Sequence, residues 1–441
     1  MSVLSVLILF ITAKQALGNG CFHENLFSTK TPYALIQNKD VSINKPAENC
    51  IPVHLNMIHR HGHRYPSIKD MKNMIEVGNI INKLPSSLEI NLKRPWSLPY
   101  TFEQDKILTK VGEKELFEIG KRVVARFPQL FEHLYTPFNF TFQSTCKLRC
   151  THSAISLAAG LFDGKGHLGT GKYQPITLET YPCHNDKVLR FFDHCEKYVQ
   201  RIAESEAGKR EMNAFTKSHH VASVINKIKQ KLGGNHVELK PKHLKVLMVM
   251  CAYELGMHDG SFSTGICSLL DEEDRLVGEY LIDLKHFYAR SAGFKINYES
   301  ACPLLTDFVT TMKAFVANPS EGKIGIFRSA HAETIIPLYA LLNISLDPTP
   351  MTAENFKSLE SRKFRGACLS PFSGNMYFVI FKCGDDNDEY KVQLYVNERL
   401  VETPWCESSI NCNLSNFFEY VDSSVKNCHF DDLCSLKRED L

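Results

Sequence analysis

The chain has 441 residues, 44% of them hydrophobic and 23% charged, with a formal net charge of +2. That composition can bury a sizeable core and excludes a disordered scaffold. The near balance of charge excludes a general attraction to nucleic acid or an acidic membrane, so a polyanion would have to be met by Lys and Arg gathered in a cleft.

In chain order, an apolar stretch at residues 3–12 followed by Ala16-Leu17-Gly18 has the form of a secretory signal peptide ending at residue 18. Residues 51–58 alternate apolar and polar positions and predict a β-strand, with Gly62 expected to end it by adopting backbone angles other residues avoid. His61 would then sit at the corner, between Arg60 and Arg64. Ser67-Ile68-Lys69-Asp70 has the form of a capping box, and Met71, Met74, Ile75, Val77, Ile81 and Leu84 follow at helical spacing. A helix N-terminus facing that corner would favour an anion.

Residues 139–144 predict a second strand, followed by Arg149 and a helix over 153–162. Gly164-Lys165-Gly166-His167-Leu168-Gly169 approximates a dinucleotide fingerprint and 166–172 a P-loop. The first follows a helix rather than a strand and the second ends in Tyr173 instead of a serine, so both read as a surface loop. Residues 191–232 are charged and helical in pattern, predicting a helical insertion over one end of the sheet. The segment 324–334 repeats the strand, turn, helix order and puts His331 and Glu333 at its corner. Strands at 377–381 and 390–396 flank a turn at 384–388 and predict an antiparallel hairpin. The expectation is an α/β fold with a mostly parallel central sheet flanked by helices: core at 19–150 and 240–441, mainly helical cap at 151–239.

Fifteen cysteines fit an oxidising compartment, and their odd number leaves at least one thiol free or paired between chains. Asn139, Asn343 and Asn413 head glycosylation sequences. The final Arg438-Glu439-Asp440-Leu441 loosely resembles an endoplasmic-reticulum retention signal, so the expected location is that lumen or outside the cell. No membrane span is expected, since residues 246–257 are too short and contain Glu254.

Arg60-His61-Gly62-His63-Arg64-Tyr65-Pro66 resembles the signature of the histidine acid phosphatases. His331-Ala332-Glu333-Thr334, residues 189–198 and residues 362–383 make the chain most similar, within that family, to the multiple inositol polyphosphate phosphatases. The likeness spans nearly the whole mature chain and implies the family's histidine-phosphatase-like sheet and cap. His63 departs from it, standing where threonine is common, and this bears on substrate preference.

Residue by residue, a neutral His61 would attack phosphorus and form a phosphohistidine. Arg60, Arg64 and Arg149 are planar cations suited to the equatorial phosphate oxygens, and their charge disfavours protonation of His61. His331, as a cation, would add a donor, and Glu333 would protonate the leaving alkoxide, as the resemblance also implies. Glu333 carries a tension: a helix N-terminus and nearby arginines lower a carboxyl pKa, whereas a general acid must hold its proton. An inositol ring crowded with phosphates needs further cations; Lys69 and Lys72 are placed first, then Lys147, Arg362, Lys363 and Arg365. The alternation of His59, His61 and His63 suits a metal site less well, because Arg60 and Arg64 would crowd a cation, and neither metal nor cofactor is expected. The substrate is expected to be a small phosphorylated molecule. The alternatives are an acid phosphatase of broad specificity acting on small esters such as 2,3-bisphosphoglycerate, and a secreted polyphosphate-binding protein with little turnover.

Overall fold

The computed structural model describes residues 26–46, 48–85, 92, 95–257, 262–384, 389–406 and 410–436. The expected signal peptide and the C-terminal tetrapeptide lie outside the described residues, as does most of the expected hairpin turn. The elements that matter here, in chain order, are β1 (Cys50–Arg60), α1 (Ile68–Asn82), α2 (Lys110–Arg126), β2 (Phe140–Ser144), α3 (Leu148–Leu161) and β3 (Leu178–Thr180). Then come α4 (His219–Lys231), α5 (His243–Met257), α6 (Glu272–Arg290), α7 (Cys302–Ala317), β4 (Gly325–Ala330) and α8 (Ala332–Leu341). The chain closes with β5 (Asn375–Cys383), β6 (Glu389–Val396), β7 (Arg399–Val401), β8 (Cys412–Asn413) and α9 (Leu414–Lys426).

The strands form one eight-stranded sheet in the order β3-β2-β4-β1-β5-β6-β7, with β8 on β6. The expected parallel arrangement holds from β3 to β1. Beyond β1 every pairing is antiparallel, beginning with the expected β5–β6 hairpin, so the whole sheet is mixed. Both faces are covered. Leu55 and Met57 pack with Leu116, Ile119 and Leu157 of α2 and α3, while Ile58 packs in the cluster on the opposite face. The polar positions of β1 are therefore not a solvated face. Asn56 donates to Thr311 Oγ1 of α7 at 2.9 Å, and the His54 ring bonds to the Lys323 carbonyl at 2.6 Å, as buried polar groups require.

Ser67 caps α1 as its spacing predicts: its Oγ accepts from the Asp70 N–H at 3.1 Å while its own N–H donates back to Asp70 Oδ2. Met71, Met74, Val77 and Ile81 are buried beneath. The segment 151–239 divides. Its first part is α3, which packs on α2 below the sheet, and β3, which extends the sheet; from Phe191 short helical turns and α4 pack mainly against α5 and α6. α5 is mostly apolar and largely buried, with Lys245 and Glu254 its charged exceptions, and no helix among the described residues is long and apolar enough to cross a membrane. The glycine-rich 164–173 segment is an exposed turn closed by a bridge between Leu168 and Tyr173. Six disulfides join described cysteines, and Cys150 is free and buried.

Candidate active site

Three neighbouring parallel strands end level with one another: Ser144 of β2 pairs with Ser329 of β4, and Ala330 of β4 with Arg60 of β1. The chain turns off each strand at this carboxyl edge, where open α/β sheets bind ligands. His61, Thr145 and His331 are the first residues beyond the ends. The N–H groups of His61 and Thr145 donate to the carbonyls of Ala330 and Ser329 at 3.0 and 3.1 Å, locking the corners together. The three corners expected from sequence therefore meet. α3 begins at Leu148, earlier than expected, so Arg149 lies in its first turn.

His61 is 3% exposed. Its Nδ1 lies 2.9 Å from the Gly62 carbonyl, which can only accept, so Nδ1 carries the proton and the Nε2 lone pair is free. Burial, then Arg60, Arg149 and Arg64, hold the imidazole pKa well below 6.5, as the flanking arginines led us to expect. Gly62 serves a different purpose from the one expected. It is absent from the positive-φ glycines, and a Cβ there would lie 2.4 Å from the Gly112 carbonyl oxygen of α2. Close backbone approach, not conformational freedom, requires glycine here.

Arg60 is anchored by Nη1, which donates to the carbonyls of Thr29 and Ser370 at 2.5 and 2.8 Å, and its guanidinium stacks over Phe372 at 4.8 Å. Arg64 bonds its neighbour's carbonyl through Nη1 at 2.7 Å. The buried Nε atoms of Arg60, Arg64 and Arg149 have no hydrogen-bond partner. Such unsatisfied donors beside one another are costly unless an anion meets them.

His331, the N-cap of α8, is 2% exposed and stands edge-on to His61 with ring centroids 5.8 Å apart. Arg149 Nη2 reaches its Nδ1 at 3.3 Å; Arg190 Nη1 and Thr145 Oγ1 each reach Nε2 at 3.1 Å. The expectation that this ring is a cation is overturned. Burial first, then Arg149, with Arg190 adding to it, holds its pKa well below 6.5, so the imidazole is neutral. The Cys150 thiol lies 3.7 Å from both ring nitrogens, and burial pushes its pKa up to about 11.

Glu333 lies in the first turn of α8. Arg290 of α6 donates to its Oε1 at 2.5 Å. Burial pushes the carboxyl pKa up, but Arg290, His331, its own backbone N–H and Arg60 together outweigh burial and hold it well below the usual carboxylate range. The tension read from the sequence is thus real.

The structure gathers cations that the sequence reading had not placed. Arg190, half of an ion pair with Asp193, comes from the loop after β3. Lys30 lies 4.0 Å from Asp70 within electrostatic reach of Arg64, and burial and Arg64 push its pKa well below the ordinary value. Lys245 and Lys285 line the α5–α6 wall; burial, then Arg290 and Lys245, lowers Lys285 to about 7. Of the cations named from sequence, Lys69 is exposed at the rim within electrostatic reach of Lys245, and Lys72 is exposed one turn on. Lys147 is the N-cap residue of α3. Arg362 is buried, 2.8 Å from Asp283 and 3.3 Å from Glu279; Arg365 pairs with Glu279, and Lys363 lines a separate pocket beside Asn343 and Glu402. These three do not meet the cleft cations. His63 is fully buried, packed against Phe372 and Tyr253 at 4.6 and 5.4 Å, so it underlies the cleft wall. Among the described residues no group of three or more His, Cys, Asp or Glu is arranged to hold a metal ion. Asn343 and Asn413 are exposed and Asn139 is half-buried.

Residues 53–397 match the histidine phosphatase superfamily, branch 2. Among similar proteins, the multiple inositol polyphosphate phosphatase 1 of Gallus gallus is 30% identical over 400 residues, which cover 88% of this chain and 85% of that protein. The Homo sapiens protein of the same name is 26% identical over 443 residues, covering 93% and 89%. Among solved structures, the phytase from D. castellii superposes with a TM-score of 0.76 at 18% identity, over 93% of this chain and 87% of that one. The Bifidobacterium longum multiple inositol polyphosphate phosphatase in complex with inositol hexasulfate gives 0.67 at 18% identity, over 94% and 99%. At such identities the superpositions speak for the fold.

Proposed function

Because this chain belongs to branch 2 of the histidine phosphatase superfamily, we propose that it removes phosphates from inositol polyphosphates, inositol hexakisphosphate among them, through a phosphohistidine on His61. The observation that carries the reading is a neutral His61 with its Nε2 lone pair free, ringed by Arg60, Arg64 and Arg149, with Arg190 on the neighbouring His331. Nε2 attacks phosphorus in line as the bond to the leaving oxygen breaks, and the arginines stabilise the charge spread over the equatorial oxygens. Glu333 gives its proton to the leaving alkoxide; water then attacks the phosphohistidine and restores His61. His331 works as a neutral ring that accepts from one of the two arginines beside it, Arg149 or Arg190, rather than as a cation.

One phosphate does not need Lys30, Lys245, Lys285 and Arg290 as well. These cations, with Lys69 at the rim, support a substrate carrying several phosphates, and they replace Lys69 and Lys72 as the main candidates for substrate binding. In this reading the helical chain after β3 is the cap, and it brings Arg190 to the core's His331. The disulfides support the endoplasmic-reticulum lumen or the cell exterior as the location, with Asn139, Asn343 and Asn413 as glycosylation sites.

The test is phosphate release from inositol hexakisphosphate by the wild type, His61→Ala and Glu333→Gln, with and without a chelator, together with an alkaline quench of turning-over enzyme to trap phosphohistidine. We expect His61→Ala to be inactive and to trap nothing, and the chelator to have no effect. Full activity of His61→Ala would end the covalent reading, and loss of activity with chelator would replace it with a metal-dependent one.

A further inference from the structure

The Glu333–Arg290 pair sits in a chain of contacts. Arg290 donates through Nη2 to Glu333 Oε1 at 2.5 Å and through Nη1 to His286 Nδ1 at 2.6 Å. Arg290 has no acceptor atom, so Nδ1 must accept, and the His286 proton sits on Nε2, 3.0 Å from Thr29 Oγ1. The Thr29 carbonyl in turn receives Arg60 Nη1. The Arg290 guanidinium is thus shared between His286 and Glu333, and its side chain is 17% exposed, near Lys245 and Lys285.

With Arg290 on its carboxylate, the proton donor is held in the wrong protonation state. We infer that Arg290 is a substrate-sensitive lock on Glu333: a phosphate next to the one being transferred draws the guanidinium away from the carboxylate, which then takes up a proton and becomes competent to donate it. A substrate with neighbouring phosphates would thereby switch on its own hydrolysis, and an isolated phosphate would not. The inference rests on the reading of Glu333 as proton donor. The step balances: Glu333 gains a proton from solvent on binding, passes it to the leaving alkoxide as the P–O bond breaks and the Nε2–P bond forms, and returns to the carboxylate.

The charges that face Glu333 agree with this direction. From α6 come Arg290, Lys285 and the neutral His286; from β1, Arg60; from α3, Arg149. Lys30 faces it from the N-terminal segment, Tyr198 from a short helical turn of the cap, and His331 from its own element. All the charged groups among these favour the carboxylate, and Arg290 is the one that touches it. An incoming phosphate neutralises the set and adds negative charge of its own, so both changes raise the carboxyl pKa.

The experiment compares kcat against pH for inositol hexakisphosphate and a myo-inositol monophosphate, which share a leaving-group chemistry, in the wild type, Arg290→Gln, Arg290→Lys and Glu333→Gln. In the wild type the alkaline limb should lie higher for the hexakisphosphate, by about one pH unit or more, the effect of one lost ion pair. Arg290→Gln should move the monophosphate limb upward and raise its kcat roughly tenfold, within the range general acid catalysis commands. The preference between substrates should shrink in kcat, with Arg290→Lys between the two. One common loss of kcat with unmoved limbs would make Arg290 merely structural, and a rise confined to KM would make it an ordinary subsite; either overturns the lock. Full kcat in Glu333→Gln on both esters would instead remove the underlying assignment of the donor. Should the Arg290 variants fail to fold, calorimetry of inositol hexasulfate binding at pH 5 in buffers of different ionisation enthalpy decides. The ligand is ionised throughout, so the wild type should take up a proton that Glu333→Gln does not, and equal uptake in both would refute the lock.

Discussion

Lys285 offers the most quantitative check on the cleft as a polyanion site. Burial and the adjacent Arg290 and Lys245, joined by Lys209, lower its pKa to about 7, and Glu333 pulls weakly the other way. An anion seated against it restores the charged form, so its pKa in the complex should return toward the ordinary value of about 10.4. Binding then takes up a proton wherever the free lysine is neutral and the bound one is charged, that is, above pH 7. The dissociation constant should scale with the inverse of the charged fraction of Lys285 in the free enzyme, which gives about a tenfold loss of affinity between pH 6 and pH 8, close to 1.4 kcal/mol. Inositol hexasulfate is the right probe, because its own charge does not change over that window. Calorimetric titration at pH 6, 7 and 8 should give the slope in the wild type, and Lys285→Met should flatten it, binding weakly at pH 6 and approaching the wild type at high pH. Equal wild-type affinity at pH 6 and 8, or an unchanged slope in Lys285→Met, would refute the reasoning.

Two further outcomes follow from geometry. Gly62→Ala puts a Cβ 2.4 Å from the Gly112 carbonyl, so the β1 corner and α2 must part by close to an ångström; overpacking of this kind costs about 1–3 kcal/mol, and moving the nucleophile that far should lower kcat/KM roughly a hundredfold in protein that still melts cooperatively. Arg362→Met leaves the buried Asp283 without its guanidinium partner and Glu279 with Arg365 alone, their side chains 0% and 1% exposed, and should cost about 3–5 kcal/mol in thermal or urea unfolding. Burial already raises Glu279 above 4.5, and with Arg362 gone it rises further. A carboxyl whose folded pKa is raised favours the native state at low pH and loses that advantage as pH climbs, so the gap between variant and wild type should widen from pH 4.5 upward.

What the sequence revealed, and what it hid, divides by the range of the signal. The β1 corner was legible because period-two alternation ends abruptly in charged residues, the β4 corner because a short apolar run, a turn and a helix follow in order, and Ser67 with Asp70 marks the start of α1 within four residues. The reason for Gly62 was not legible, since its neighbour Gly112 is fifty positions away and on another element. Arg362 and Arg365 looked like solvated charges because nothing near them announces Glu279 and Asp283. Yet α6 does carry a signal: Glu279, Asp283, His286 and Arg290 follow at intervals of four, three and four, a polar stripe on one helix face. The stripe points inward, its first half taking Arg362 and Arg365 and its second half reaching Thr29 and Glu333. A polar stripe on a helix is ordinarily read as its solvated face, and only the three-dimensional arrangement tells the two apart.

The same arrangement raises the question of what holds so many like charges together. Arg149 and Arg190 approach His331 from opposite sides, Arg149 from the first turn of α3 and Arg190 from the loop after β3, and their like charges repel. Neither segment is a strand locked in the sheet, so repulsion would spread them unless something opposes it. Cys146, three residues before Arg149, is bonded to Cys183, seven residues before Arg190. The disulfide therefore ties together the two segments that electrostatics would separate. Asp193 neutralises part of the Arg190 charge and sets its direction. Donors held in place while still unneutralised need little reorganisation when phosphate arrives, the condition under which electrostatic stabilisation of a transition state is most effective.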